Sequence, residues 1–232
     1  MKKLLIASVV LVAAPFAQAD TLYGVFADAN YWHTSASATE SKVDTDYKNQ
    51  GQMMLSASLE HPVPLIPNAR LRYTTLNGTE KNNANGEIKA NNTDAIAYYE
   101  VLDNVVSLDL GLGAKRIDGD VKQRGVSRID LNKTMPMAYA SAGAKLPFTG
   151  LSAKAELGLG YGKNVKATDA LAELKYDFVD KALVDVGAKV GYRIVQVDYD
   201  EMTNKYLGSV FGSQVPYKVD FKGPYVGLEV HF

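Results

Sequence analysis

An alternation of apolar and polar residues with a period of two runs along most of this chain, and it restricts the fold more than any other feature. From Thr21 the sequence reads TLYGVFADANYWH, with Tyr23, Val25, Ala27, Ala29 and Tyr31 on one face and Gly24, Asp28 and Asn30 on the other. Period two is the geometry of a β-strand with one apolar face. Met53, Leu55, Ala57 and Leu59 alternate with Gln52, Ser56, Ser58 and Glu60. Ala95, Ala97, Tyr99 and Val101 alternate with Asp94, Tyr98 and Glu100, and Val106, Leu108, Leu110 and Leu112 with Ser107, Asp109, Gly111 and Gly113. Segments 151–161 and 184–194 repeat the pattern, with Lys154, Glu156, Lys189 and Arg193 on the polar face. Past the N-terminal segment no useful stretch has a helical period.

The connections alternate as well. HPVPLIPN (61–68), Asp103-Asn104, LPFTG (146–150) and YDFVDKA (176–182) are short and rich in turn formers. Segments 34–50, 77–92, 117–133, 163–168 and 200–217 are polar and mostly longer. Short turns at one end and long loops at the other are the layout of a transmembrane up-and-down antiparallel β-barrel. The expectation is all-β, with about ten strands and both termini at the short-turn end. Eight strands is the alternative if 168–176 is not an independent strand.

A soluble barrel also alternates, but it buries its apolar face and solvates its charges. The short turns argue for the opposite sense. Closing HPVPLIPN sets Glu60 opposite Arg70 and Ser58 opposite Arg72; closing LPFTG sets Gly143 opposite Lys154, Ser141 opposite Glu156 and Tyr139 opposite Gly158. Closing the turn at 177–182 sets Lys175 opposite Asp185, and the 163–168 connection brings Glu156 beside Lys175. Apolar positions meet in the same registers. The polar face then reads as a lumenal ladder of Glu60, Arg70, Arg72, Glu100, Asp109, Lys154, Glu156, Glu173, Lys175, Asp185, Lys189 and Arg193. Among outward positions, Tyr23, Tyr99, Tyr176 and Phe232 fall near the short-turn end and Tyr31 and Tyr161 near the other, as membrane-interface anchors do. Tyr73 and Tyr192 fall nearer mid-strand.

The N-terminus has the form of a secretory leader. Met1-Lys2-Lys3 precedes an apolar run from Leu4 to Ala14, then Pro15 and Ala17-Gln18-Ala19. The expectation is a signal peptide over 1–19 and a barrel over 20–232. Zero cysteines exclude disulfides and thiolate metal sites, and a net charge of −1 gives no support for nucleic-acid binding.

The last eight residues, YVGLEVHF, resemble the C-terminal signature of Gram-negative outer-membrane β-barrel proteins, with Tyr225, Gly227, Val230 and Phe232 at its marked positions. More closely, the chain looks like a small family of proteobacterial outer-membrane barrels of unassigned activity. The resemblance implies a cell outer-membrane location, recognition of the terminal strand by the barrel-assembly machinery, and pairing of the last strand with the first. It implies no chemistry.

Candidates for chemistry are few. GLGYGK (158–163) and GLG (111–113) place glycines at alternate strand positions with no helix after them, so they lack the context of a phosphate loop. Inward glycines instead make room for a large neighbour, as Tyr139 over Gly158. His33 with Asp44 or Asp46 at the long-loop rim is the one enzyme arrangement to weigh, a rim hydrolase activating water. His61 and His231 fall at the opposite rim. Asp118-Gly119-Asp120 and Asp198-Tyr199-Asp200-Glu201 lack the period of a calcium loop, so solvated turns are the simpler reading. Lys115, Arg116, Lys122, Arg124, Arg128 and Lys133 form either a basic rim facing lipopolysaccharide phosphates or a solvated loop. The apolar loop 204–217 is suited to folding over the mouth. The expectation is a monomeric, non-enzymatic barrel needing no cofactor or metal. Its charge-lined lumen would be narrow or closed, suiting a small pore, a ligand-binding barrel or an envelope-structural element.

Overall fold

The computed structural model describes residues 24–232 except 41, 64, 83–85, 124–126, 182–183 and 205–212. The leader expected at 1–19, Tyr23, Arg124 and most of the 204–217 loop therefore lie outside the described residues. Twelve strands form one sheet: β1 (Gly24–Glu40), β2 (Val43–Asp46), β3 (Gln50–Glu60), β4 (Asn68–Thr79), β5 (Glu87–Asp103), β6 (Val106–Gln123), β7 (Ser127–Asp130), β8 (Lys133–Leu146), β9 (Leu151–Gly162), β10 (Val165–Lys181), β11 (Val184–Asn204) and β12 (Ser213–His231). β2 and β7 are four-residue strands that pair with β1 and β6 beyond the reach of β3 and β8. The other ten go round a barrel in chain order, each antiparallel to the next, and segment 168–176 is part of a full strand, β10.

The barrel closes where the last strand meets the first. β12 pairs with β1 from Phe26↔His231 to Glu40↔Tyr217. Beyond the last strand residue, Val25 N–H donates to Phe232 O at 3.0 Å and Phe232 N–H to Val25 O at 2.9 Å. The chain is thus paired to its final residue and leaves no edge exposed to lipid.

The strands change sense along their length. On β6, Leu110 and Leu112 point outward and are exposed, while Asp109 and Lys115 point inward. Farther from the short turns the same strand turns Arg116 and Asp118 outward and buries Ile117 and Val121. β1 does likewise: Tyr31 is outward, then Ser35, Ser37 and Thr39 follow on that face while Ala36 and Ala38 are buried. In β11 and β12, Val195, Val197, Tyr199, Tyr217, Val219 and Phe221 fill the interior at that height. The lower half is apolar outside and charged inside; the upper half is the reverse. A polar outer face suits water rather than lipid, and the apolar side chains of that half then go inward. A transmembrane strand needs about 9–11 residues, whereas β11 has 21 and β12 has 19.

This reversal corrects the long loops assigned at 34–50, 77–92, 117–133 and 200–217. Strands β1, β4–β6, β11 and β12 run well into them, and the 163–168 connection shrinks to a turn at Lys163–Asn164. Asn164 supplies the left-handed backbone there, φ 58°.

One ladder is interrupted. β3 pairs with β4 only from Met54↔Thr74 to Leu59↔Ala69. Above that, the buried Gln52 side chain stands in for a peptide unit. Its Nε2 donates to Asn77 O at 2.7 Å, its Oε1 accepts from Asn77 N–H at 3.0 Å, and Met53 N–H turns to Thr75 Oγ1 at 2.9 Å. The walls rejoin above at Lys48 N–H to Thr79 O, 2.7 Å, and the Tyr47↔Glu80 bridge.

Candidate functional site

The lumen is built in three layers. In the middle layer, Lys115 Nζ lies 2.7 Å from Asp94 Oδ1, 3.2 Å from Asp169 Oδ2 and 3.2 Å from Asn92 Oδ1. Arg193 grips Asp169 with two bonds of 2.8 and 2.7 Å and donates to Thr74 Oγ1 at 2.9 Å. Its guanidinium stands 5.3 Å from the Trp32 ring centroid, and Trp32 Nε1 donates to Gly223 O at 2.9 Å. Lys115 and Arg193 are fully buried. Buried charges of this kind persist only when paired and hydrogen-bonded.

Toward the short-turn end follows a second ring of pairs. Arg70 contacts Glu156 at 2.7 Å and Tyr139 OH at 2.8 Å, and Arg72 holds the other Glu156 oxygen. Lys154 meets Glu156 at 3.1 Å and Glu173 at 3.3 Å, and Tyr225 OH donates to Glu173 at 2.6 Å. Lys189 lies 3.1 Å from Glu229 and 3.5 Å from Asp28; Lys175 lies 2.9 Å from Glu229 and 3.1 Å from Asp177.

Below this ring the lumen opens into a cup of about 360 Å³, lined at its mouth by Glu60, Glu100, Asp103, Asp109, Lys145, Asp185 and His231. His231 stacks on Phe26 with centroids 4.0 Å apart. Above the middle layer the described side chains are packed apolar groups from Ala36 to Phe221, closed by the buried tyrosines Tyr47, Tyr199 and Tyr217. Burial pushes the Tyr47 phenol up to about 12 and raises that of Tyr217 further, so both stay neutral. At the same height outside, Arg116 holds the exposed Asp118 carboxyl below its ordinary range.

The structure places all twelve ladder residues on the lumenal side. Arg193 belongs to the middle layer, and Glu60, Arg70, Arg72, Glu100, Asp109, Lys154, Glu156, Glu173, Lys175, Asp185 and Lys189 line the cup. Four of the pairings, at three of the connections, differ from those drawn from the turns. Arg70 faces Ser58 and Arg72 faces Ser56, because Asn68 Oδ1 takes the His61 N–H at 3.0 Å and starts β4 two residues sooner. Lys175 faces Lys189 and Asp185 faces Asp180, since β10 carries a bulge at Asp177/Val179 and runs on to Lys181. The tight turn at Lys163–Asn164 sets Glu156 beside Leu171 and Glu173 beside Lys154, not Glu156 beside Lys175. The register of LPFTG is as its length implies, Ser141↔Glu156 and Tyr139↔Gly158. The room made by Gly158 and Gly160 is filled by Met137 and Met135 rather than by Tyr139.

Asp94, Lys115, Asp169, Glu229 and Trp32 complete the site and were not in the ladder. Lys115 belongs to no basic rim: it shares the inward parity of Asp109. That parity was the available signal, and the outward-facing Arg116 beside it masked it. Lys122 is exposed as a rim residue would be.

His33 is exposed on the outer face of β1. Asp46 lies opposite Ser37 and Asp44 opposite Thr39, at least four residues or about 13 Å farther along the strand. Asp44 accepts from Thr39 Oγ1 at 2.7 Å and Asp46 pairs with Lys81 at 3.4 Å. Neither carboxylate is set against the imidazole. Asp198 lies between Lys166 and Lys218 in the ladder, and no group of acids and histidines among the described residues could hold a metal ion. At the terminus, Tyr225 is inward, and a side chain at Gly227 would strike Asn30 and the Ala29 carbonyl. Val230 pairs with Ala27 and Phe232 with Val25.

Outward side chains of the lower half are apolar all round, among them Leu71, Val101, Leu112, Leu174, Val190 and Val226. Exposed aromatics ring this belt: Tyr99, Tyr176 and Phe178 below, and Tyr31 and Tyr161 above. A closed antiparallel barrel with an apolar belt outside and charges inside is a transmembrane β-barrel of the Gram-negative outer-membrane kind.

No protein-family model and no characterised protein matches the sequence. Among solved structures it is similar to the outer membrane protease OmpT from Escherichia coli, at 10% identity over 90% of this chain and 97% of that one, TM-score 0.46. It is also similar to the beta domain of the Bordetella autotransporter BrkA (16%, 91% and 99%, 0.44) and to the translocator domain of autotransporter NalP from Neisseria meningitidis (11%, 97% and 96%, 0.41). These are likenesses of barrel shape, and they add nothing to the architecture that the ladders already define.

Proposed function

We propose that this protein is a non-enzymatic, non-conducting barrel of the Gram-negative outer membrane, exported by its leader, whose lumen is a blind charged cup open to the periplasm. It serves as a binding or envelope-structural element rather than a pore or a rim hydrolase. The observation that carries this reading is the buried Lys115–Asp94–Asp169–Arg193 network, fully paired across the lumen beneath packed apolar side chains. Ions would have to break those pairs, and moving a charge through the apolar layer above is costlier still. The separation of His33 from Asp44 and Asp46 weighs against hydrolysis. The short turns, the start of β1 and the end of β12 on the cup side support a periplasmic mouth.

Three partner assignments go with this reading: outer-membrane lipids and lipopolysaccharide around the apolar belt, the barrel-assembly machinery for the terminal strand with its Tyr225, Gly227, Val230 and Phe232, and a monomeric state. The test is single-channel recording of folded protein in a planar bilayer. Silence is expected; reproducible ion-selective steps would sink the blind-cup reading.

A further inference from the structure

The charges lining the cup are unevenly matched. On its β9–β12 side each lysine has two or more carboxylates within reach: Lys154 has Glu156 and Glu173, Lys175 has Asp177 and Glu229, and Lys189 has Asp28, Glu173 and Glu229. On the β3–β6 side, Glu60, Glu100, Asp103 and Asp109 line the same cavity, and none of them forms an ion pair among the described residues. The nearest guanidinium, Arg70, is engaged with Glu156 and Tyr139. Lys145 stands exposed at the rim.

The register sharpens this imbalance, because Glu100 lies directly opposite Asp109 on adjacent strands. Like charges facing each other across a ladder destabilise it. A second observation comes from the inner end of the cup. Asn30 is more than nine-tenths buried and lines the cavity, and its Oδ1 accepts from no donor. The buried Nε of Arg70, in the same cavity wall, is in turn a donor without an acceptor.

We propose that the cup binds a small organic cation carrying primary or secondary amines, held through Glu60, Glu100, Asp103 and Asp109. A cavity of about 360 Å³ is of small-molecule size. These carboxylates form no group that could hold a metal ion among the described residues, and four of them round one cavity match a ligand whose positive charge is spread along a chain of atoms. Ammonium groups supply that charge and add N–H donors to carboxylates of which Glu60 already accepts from Tyr98 OH at 2.7 Å. The inference rests on the blind-cup reading, since a through-pore would offer the cation an exit instead of a site.

The test is isothermal titration of the folded protein in lipid nanodiscs with spermidine, at low salt and at 0.15 M salt. One-to-one binding is expected, weakened about tenfold or more in Glu100→Gln/Asp109→Asn and unchanged in Asp46→Asn on the opposite rim. The double variant removes a repulsion, so its unliganded melting temperature is expected to equal or exceed that of the parent, which separates lost binding from lost folding. No heat with folded parent protein, equal affinity in the double variant, or full displacement by Mg²⁺ at matched charge would each overturn the proposal. A silent bilayer recording with no spermidine binding removes only the cation site. Binding in a protein that conducts removes only the blind cup.

Discussion

Lys115 shows at the scale of one residue how this lumen holds together. Its ammonium is fully buried and touches Asp94, Asp169 and Asn92. Replacing it by Ala takes from the buried Asp94 its ion-pair partner, leaving only Arg72 opposite it in the ladder, whereas Asp169 keeps Arg193. Breaking a buried pair from one side destabilises by about 3–5 kcal/mol. Lys115→Ala should therefore lower the urea midpoint of unfolding from vesicles by that equivalent; a loss under about 1 kcal/mol would mean that the network does not stabilise the lumen. Single residues were the hardest scale to read from the sequence. The inward set of the lower half follows from parity, and the ladder residues do line the lumen. Lys115 escaped because it sits beside Arg116 where the strand changes sense, and four cross-strand pairings escaped because Asn68, one bulge and a two-residue turn shift register by a few positions.

At the scale of the strand, the reversal of sense makes a sharper prediction than composition could. Val226 of β12 faces lipid and Val219 of the same strand faces the upper interior. Val226→Arg should cost about 2–4 kcal/mol, as charges on a lipid-facing wall do. Val219→Arg should be at least as damaging although it lies above the lipid, while Lys218→Gln should change stability by less than about 0.5 kcal/mol. Urea titrations of the three variants check the order; a tolerated Val219→Arg would place lipid or water where the structure has packed side chains. Strand number and the lower belt were legible because alternation, short turns and aromatic positions agree. The upper wall was not, because apolar-outside was the rule applied, and Ser35, Ser37 and Thr39 break that rule while keeping its period.

For the molecule as a whole, closure is set by the last residues. Phe232 contributes both hydrogen bonds with Val25 at the end of the β12–β1 ladder. Deleting Val230–Phe232 should leave that seam open at the cup's mouth and lower the yield of folded barrel several-fold in membranes, measured by the folded-to-unfolded band ratio on a gel run without heating. A yield equal to that of the parent would mean that closure is set elsewhere. The terminal strand is the part of the molecule most fully legible in the sequence, since YVGLEVHF can be paired to its end only if a first strand waits for it.

A ring has no natural place to tear, so a pulled barrel parts where its wall resists least. Here that place is built in. The ladder from Met54 to Leu59 is short, and just above it side chains stand in for the backbone ladder, Gln52 holding both polar groups of Asn77 and Thr75 taking the Met53 N–H. Under tension the wall should unzip between β3 and β4 first, and single-molecule pulling should show Gln52→Ala lowering the first rupture force while leaving later ones unchanged.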